Sequence, residues 1–268
     1  MFVDGPAVPN HCLLAIAMST LSASKAKLFG SPMRLHQSLL KCFGNDNDAT
    51  RLWMSLGIRA TEERVPWTQL GAALQQHFAE VVGESVANAR PLSDADIKFI
   101  GEKKFGIKTM ASVSCAPPVP TALLMIPPQL FASFWNQFWK PWIAMLQHIL
   151  DLWTSTVPVR IIAGFVHDQV MLEHGREGMF MIRFSFSDPK ALVCVYLDRE
   201  RRLQKTKIYI DSMDDKVQFR MQLAGSMVIR ESSLNKLILR VTIWRTLFPD
   251  HPKETLFVAS PKPPSEPP

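Results

Sequence analysis

The stretch Gly178-Met-Phe-Met-Ile-Arg-Phe-Ser-Phe-Ser187 constrains this chain more than any other, because one arginine interrupts an otherwise apolar strand. A strand repeats every two residues, so Phe180, Ile182, Phe184 and Phe186 fall on one face and Met181, Arg183, Ser185 and Ser187 on the other. The first face can bury; the second carries a cation and two hydroxyls. A planar guanidinium takes two oxygens of an anion at once and each hydroxyl serves another, so the set suits a phosphate group. An edge strand with an ordinary exposed arginine shows the same alternation, which by itself does not separate the two.

Upstream of this strand the pattern is helical. Trp67, Leu70, Leu74, Phe78 and Val81 follow Pro66 at steps of three and four. Ser93 with Asp96 three residues on has the form of a capping box, opening a second helix through Ile97, Ile100 and Lys104. The five prolines between Ser112 and Pro128 exclude a single helix there. Phe131, Phe134, Trp135, Phe138, Trp139, Trp142, Met145, Leu146, Ile149, Leu150 and Trp153 then draw a wide apolar stripe on a long helix, expected to pack as core, with Pro141 expected to kink or break it. Beyond it, Phe165 to His174 reads as a helix, and Phe180–Phe186, Ala191–Leu197 and Lys205–Ile210 as strands, with Asp188-Pro189 turning between the first two. Residues 216 to 245 should hold another helix, with helical spacing over Ser232 to Val241. Residues 1 to 60 say least, with a polar turn at Asn45 to Asp48. The tail, 261–268, is proline-rich and expected to be extended and disordered, a form that SH3 or WW domains also take.

At 268 residues and 47% hydrophobic, the chain can bury one or two ordinary cores, as a soluble globular protein does. The net charge of +6 divides into +2 over residues 1–157, +4 over 158–260 and none over the tail, a bias suited to an anionic peptide but far from a nucleic-acid stripe. Four cysteines, at 12, 42, 115 and 194, have no C-x-x-C pair and no histidine cluster, which argues against disulfides and zinc and for a reducing compartment. The apolar run from Cys12 to Met18 is too short to span a bilayer and lacks a basic region before it. No H-E-x-x-H, glycine-rich phosphate loop or G-x-S-x-G elbow occurs, and the pairs Glu62-Glu63 and Asp214-Asp215 read as surface, so neither catalysis nor a cofactor nor a metal is expected.

The arginine strand resembles the Gly-Thr-Phe-Leu-Leu-Arg-Phe-Ser segment of the SH2 domain in the STAT family, the signal transducers and activators of transcription. Arg160-Ile-Ile-Ala-Gly-Phe-Val166 is similar to the start of that domain's first helix, and Leu247 to Leu256 to its closing Leu-Tyr-Pro segment. Glu63 to Trp67, Leu92 to Phe105 and Phe134 to Trp139 resemble the family's helical linker domain, so the matches run collinearly from about residue 60 to 257. The resemblance implies an α+β fold: a helical linker domain over 61–157, then an SH2 domain over 158–260 with a central antiparallel sheet flanked by two helices. Thr50 to Leu56, at the end of residues 1–60, is a weaker match to the close of the family's DNA-binding domain. No sustained heptads for its coiled coil occur.

Carried over residue by residue, the resemblance makes Arg183 the bidentate phosphotyrosine clamp, with hydroxyl contacts from Ser185 and Ser187. Removing such a clamp typically costs on the order of 3 kcal/mol. The pocket departs from the family at two places: Asp168 stands where a lysine follows the Gly-Phe-Ile-Ser segment, and Phe186 where many members have an acid between the serines. An acid at 168 is expected to repel phosphate. Arg160, His167, Lys205 and Lys207 are the candidates to compensate. The partners implied are phosphotyrosine-bearing receptor tails or STAT proteins, in cytoplasm and nucleus, with DNA contact coming by family implication alone. Only Tyr196 and Tyr209 are present, both in expected strands, so exchange of a C-terminal phosphotyrosine between two copies is not expected, and the chain reads as a fragment, an isoform or a short divergent member. Transcription factor, phosphotyrosine adaptor or dominant-negative short form, and ligand-free SH2 scaffold all stay open on these residues.

Overall fold

The computed structural model describes residues 39, 41–57, 64–83, 90–107, 125–153, 160–169, 171, 173, 175–213, 216–223 and 227–257. The expected proline-rich tail, most of residues 1–60 and the proline-dense stretch up to 124 lie outside them. The described chain is a mixed α and β protein: helices come first, and a seven-stranded sheet follows.

Helix α1 (Asn47–Ser55) starts where the sequence suggested a polar turn, since Asp46 caps it by accepting the Ala49 N–H at 3.0 Å. The other carboxylate oxygen of Asp46 takes the Trp135 indole N–H and the Lys140 ammonium, at 3.2 and 2.7 Å, which fastens α1 to the aromatic helix. Strand β1 (Val65–Pro66) leads into α2 (Trp67–Gly83), whose buried stripe is Trp67, Leu70, Leu74, Phe78 and, one residue beyond expectation, Val82. A step of four from Phe78 keeps the last turn on the core side. Helix α3 (Asp94–Lys104) opens on the expected capping box, with both halves formed: Ser93 Oγ accepts the Asp96 N–H and Asp96 accepts the Ser93 N–H. Strand β2 (Met125–Ile126) pairs antiparallel with β1.

The aromatic helix is α4 (Pro128–Phe134), a π-turn over Trp135–Trp139, α5 (Lys140–Leu146) and a 3-10 turn over Gln147–Leu152. All eleven residues of the stripe are buried, from Phe131 to Trp153. Pro141 neither breaks the helix nor divides it. Proline has no N–H to donate and its ring presses on the carbonyl four residues back; the π-turn just before it, with the Lys140 N–H reaching Trp135 O, widens the spiral where that room is needed.

Strands β3 (Met179–Phe184), β4 (Ala191–Leu197), β5 (Leu203–Met213), β6 (Lys216–Gln222) and β7 (Val228–Glu231) form successive antiparallel pairs. Helix α6 (Leu234–Arg240), capped by Ser233, precedes β8 (Thr246–Leu247) and β9 (His251–Pro252). The sheet order is β7-β6-β5-β4-β3-β8-β9, with β8 parallel to β3. Strand β4 has the expected bounds, β5 is longer than expected, and β3 stops two residues short of Phe186 because Ser185 Oγ accepts the Asp188 N–H at 3.2 Å and starts the turn. The buried Lys253 ammonium closes the end of α6 by donating to the carbonyls of Leu239 and Val241, at 3.1 and 2.7 Å.

The helix expected over Phe165 to His174 begins later. Asp168 and Gln169 form a turn, and Met171 and Glu173 are helical. Up to Phe165 the backbone is otherwise engaged: Ala163 N–H donates to Ile182 O at 2.8 Å, Phe184 N–H to Gly164 O at 3.1 Å, and Phe165 N–H to Asp96 Oδ1 at 2.6 Å. The segment therefore runs parallel to β3 before it can coil.

The two faces of β3 meet different cores. Phe180, Ile182 and Phe184 belong to the large cluster that also holds the aromatic stripe and Leu234, Leu237 and Ile238 of α6. Phe184 meets Trp142 edge-on at 4.9 Å and Trp153 at 5.2 Å, while Phe180 stacks on Trp244 at 5.3 Å. Each such ring removes enough apolar surface from water to contribute about 2 to 3 kcal/mol. Met171, Met179, Met181, Val193, Val195 and Leu197 make a separate cluster on the opposite face. No helix of the described residues is long and apolar enough to cross a membrane.

Candidate functional site

Register builds the site. Arg183 on β3 pairs with Val193 on β4, which pairs with Lys207 on β5, and Met181 reaches Lys205 in the same way through Val195. Side chains at paired positions share a face, so three cations gather beside the methionine cluster. Into this corner the segment along β3 delivers Asp168.

The Arg183 guanidinium grips the Asp168 carboxylate with both arms, Nε to Oδ1 at 2.6 Å and Nη2 to Oδ2 at 3.1 Å. Its remaining Nη1 donates to the Phe184 carbonyl at 2.9 Å, which fixes the plane of the fork. The Lys205 ammonium lies 2.5 Å from Asp168 Oδ2. Both members of the central pair are mostly withdrawn from water, with side chains 13% and 12% exposed. Burial alone would raise the Asp168 carboxyl, but the hydrogen bonds and charges of Arg183 and Lys205 outweigh it and bring its pKa below the ordinary value. The acid that the sequence marked as hostile to phosphate is thus held by the arginine expected to bind phosphate.

The remaining sequence candidates are placed around this pair in different ways. Lys207 stands 3.4 Å from Asp188, at the edge of the site. Ser185 is buried, and its hydroxyl accepts the Asp188 N–H; it shapes the turn after β3. Ser187 lies outside the strand and is exposed. His167 is exposed with its ring edge-on to Phe99 at 5.0 Å. Arg160 is exposed and stands near Arg90, whose own pKa falls to about 10 through burial and then through the charge of Arg160. The structure brings Arg183, Lys205 and Lys207 together on one face and sets Arg160 with the helical part.

Phe186, the second departure, is packed rather than exposed. Its ring meets Phe99 at 5.3 Å and Phe138 at 5.7 Å, and its carbonyl accepts the Lys104 ammonium at 2.9 Å. Lys104 also lies over the Phe138 and Phe186 rings at 4.1 and 4.3 Å, and burial lowers its pKa to about 8. Sequence reasoning did not single out Lys104, because its partner is 82 residues away.

Two contacts set the height of the segment that carries Asp168. The buried Arg90 guanidinium lies 3.5 Å over the Trp153 ring and donates to the Ile162 carbonyl, while the Trp153 N–H donates to the Arg90 carbonyl at 2.8 Å. Gly164 turns with φ +89°, and a Cβ there would stand 2.6 Å from Asp96 Oδ1. Only glycine allows both that dihedral and that approach.

Chemically, the corner is an internal ion-pair cluster: a bidentate fork and an ammonium converge on the two oxygens of the Asp168 carboxylate. Among the described residues no group of three His, Cys, Asp or Glu side chains is placed to hold a metal ion.

No family model matches this chain, and no curated protein matches it. Among solved structures, an inactive choanoflagellate E3 ubiquitin ligase Cbl TKB aligns over 88% of this chain and 66% of its own, at 13% identity and a TM-score of 0.24. A likeness at that score carries no argument about the fold or the function of this chain.

Proposed function

We propose that this chain recognises phosphotyrosine through Arg183, on an SH2-type sheet, and acts as a STAT-like signalling protein. The observation that carries this reading is the bidentate grip of Arg183, reinforced by Lys205, on a carboxylate at a mostly buried position. An arginine that already holds two oxygens in this geometry is built for a planar or tetrahedral oxyanion. Arg183 is the clamp, and Lys205 and Lys207 are the supporting cations.

The STAT-type motifs collinear with this strand supply the wider role: docking on phosphorylated receptor tails or STAT partners in cytoplasm and nucleus, and through them the regulation of transcription. The phosphotyrosine comes from another molecule. Tyr196 is buried in β4, and Tyr209 lies half-buried in β5 beneath Arg220, whose guanidinium is 4.8 Å from the ring. DNA contact is no part of the proposal for these residues.

The test is a titration of the full chain with a small library of fluorescent phosphotyrosine peptides, their unphosphorylated forms, and the Arg183→Ala variant. Binding should require the phosphate and weaken by roughly a hundredfold in the variant, the equivalent of about 3 kcal/mol. Binding that ignores the phosphate or Arg183 overturns the reading. So does a lack of binding that persists in folded protein after the Asp168 carboxylate is removed.

A further inference from the structure

The Asp168 carboxylate occupies the position that the oxygens of a bound phosphate need. Arg183 gives it both arms of its fork, at 2.6 and 3.1 Å, and Lys205 adds an ammonium at 2.5 Å. The contact is not a chance meeting of surface side chains. Asp168 is carried there by a segment hydrogen-bonded along β3, and that segment is fixed in turn by Asp96 and Arg90. Its side chain is only 12% exposed.

Resting on the phosphate reading of Arg183, we propose that Asp168 is a built-in competitor, a side chain that mimics the ligand and keeps the clamp closed to everything but a dianion.

Three physical terms set that selectivity. An intramolecular carboxylate faces its partner at an effective concentration in the millimolar range or above, so any ligand has to outcompete a group that is always present. A monoanion such as an aspartate, glutamate or sulfate ester exchanges one charge for one charge and still loses translational freedom, so it gains nothing. A phosphate monoester carries about −1.5 to −2 charges at neutral pH and three acceptor oxygens, so it satisfies Arg183 and Lys205 and leaves an oxygen for Lys207. Arg183 and Lys205 together supply two positive charges, of which Asp168 cancels one; a dianion cancels both. Asp168 sits in a turn beside the exposed His167. The ligand class is therefore a phosphate monoester, and acidic residues do not substitute for it.

The experiment is calorimetric titration of the full chain with N-acetyl phosphotyrosine amide and, separately, with phenyl sulfate. It compares the wild type with Asp168→Asn, Asp168→Ser and the double variant Asp168→Asn/Arg183→Gln, each checked for folding by circular dichroism. Removing the carboxylate should tighten phosphotyrosine binding at least tenfold and let phenyl sulfate bind, and the double variant should lose both gains. Should wild type and both single variants bind phosphotyrosine equally, with Arg183 required, the competitor role is overturned while the phosphate site stands. Should none of the folded proteins bind either probe, the phosphate reading fails and the inference fails with it. Using two single variants keeps the result decisive if one of them does not fold.

Discussion

Two carboxylates brace the segment that runs along β3, and they do so with different partners. Asp96 takes the Ser93 N–H and hydroxyl on one oxygen, at 3.0 and 2.7 Å, and the Phe165 N–H on the other. Among the described residues, the Asp168 carboxylate, three residues beyond Phe165, takes only the side chains of Arg183 and Lys205. A bond to a backbone N–H deep in the fold can be exchanged only by unfolding, whereas a bond to an arginine fork can be exchanged for another anion. Both carboxylates are largely withdrawn from water. The kind of donor decides which acid is structural and which is replaceable.

The largest expected effect would break this comparison at its rigid end. Asp96→Ala strands the Phe165 N–H and undoes the capping box together, and should lower the free energy of unfolding by about 3 kcal/mol, read from urea denaturation. A loss under about 1 kcal/mol would mean that the segment keeps its place without Asp96, and the contrast would collapse. Asp168→Asn is the smaller cut, about 1 to 2 kcal/mol, since the amide keeps an oxygen for Arg183 and Arg183 keeps the Phe184 carbonyl. Its acid behaviour sharpens the point. The folded pKa of Asp168 lies below its unfolded value of about 3.9, so its contribution is complete above that pH and is lost as pH falls through the folded pKa. Stability of the wild type should therefore fall more steeply in acid than that of the variant.

A dependence on pH alone concerns Lys104, which couples α3 to the turn after β3. Its pKa is lowered from 10.5 to about 8, so between those values the folded chain holds fewer protons than the unfolded chain and stability rises with pH. Lys104→Met should remove that rise. Urea midpoints of the two proteins, compared at about pH 7.5 and about pH 10, should draw apart at the lower pH in favour of the variant and converge at the higher. A constant difference would place the burial cost elsewhere.

What the sequence displayed depended on how far apart the interacting residues are. The Ser93 and Asp96 capping box and the aromatic stripe are local patterns of one period and appear in the fold where they were expected, while the alternation of β3 holds only to Phe184 and its second face is buried as well. The late start of the helix after Phe165 was hidden because the competing partners are Asp96 and Ile182, far away in sequence. The same holds for the site. Arg183 stood out because a lone cation in an apolar strand is conspicuous. The role of Asp168 depended on the alignment of a neighbouring segment with β3, so a residue that seemed to spoil the pocket is the one that fills it. Ser185 and Ser187 lost the expected alignment with Arg183 because the strand ends at Phe184, a boundary written in a turn rather than in the alternation.

The π-turn before Pro141 also sets an angular phase. Phe131 and Trp142 stand eleven residues apart, which over three turns is about 3.67 residues each, slightly more than an α-helix allows. One wide turn supplies part of that surplus, and it lies between the rings that contact α1 and those that contact Phe184. The helix thus acts as a shaft whose two ends are keyed to different parts of the molecule. Deleting a single residue at Asn136 or Gln137 would let the wide turn close to a regular one and leave Trp142 facing the back of the arginine strand, whereas a deletion within α5, with no wide turn to absorb it, would rotate the residues after it by about 100°.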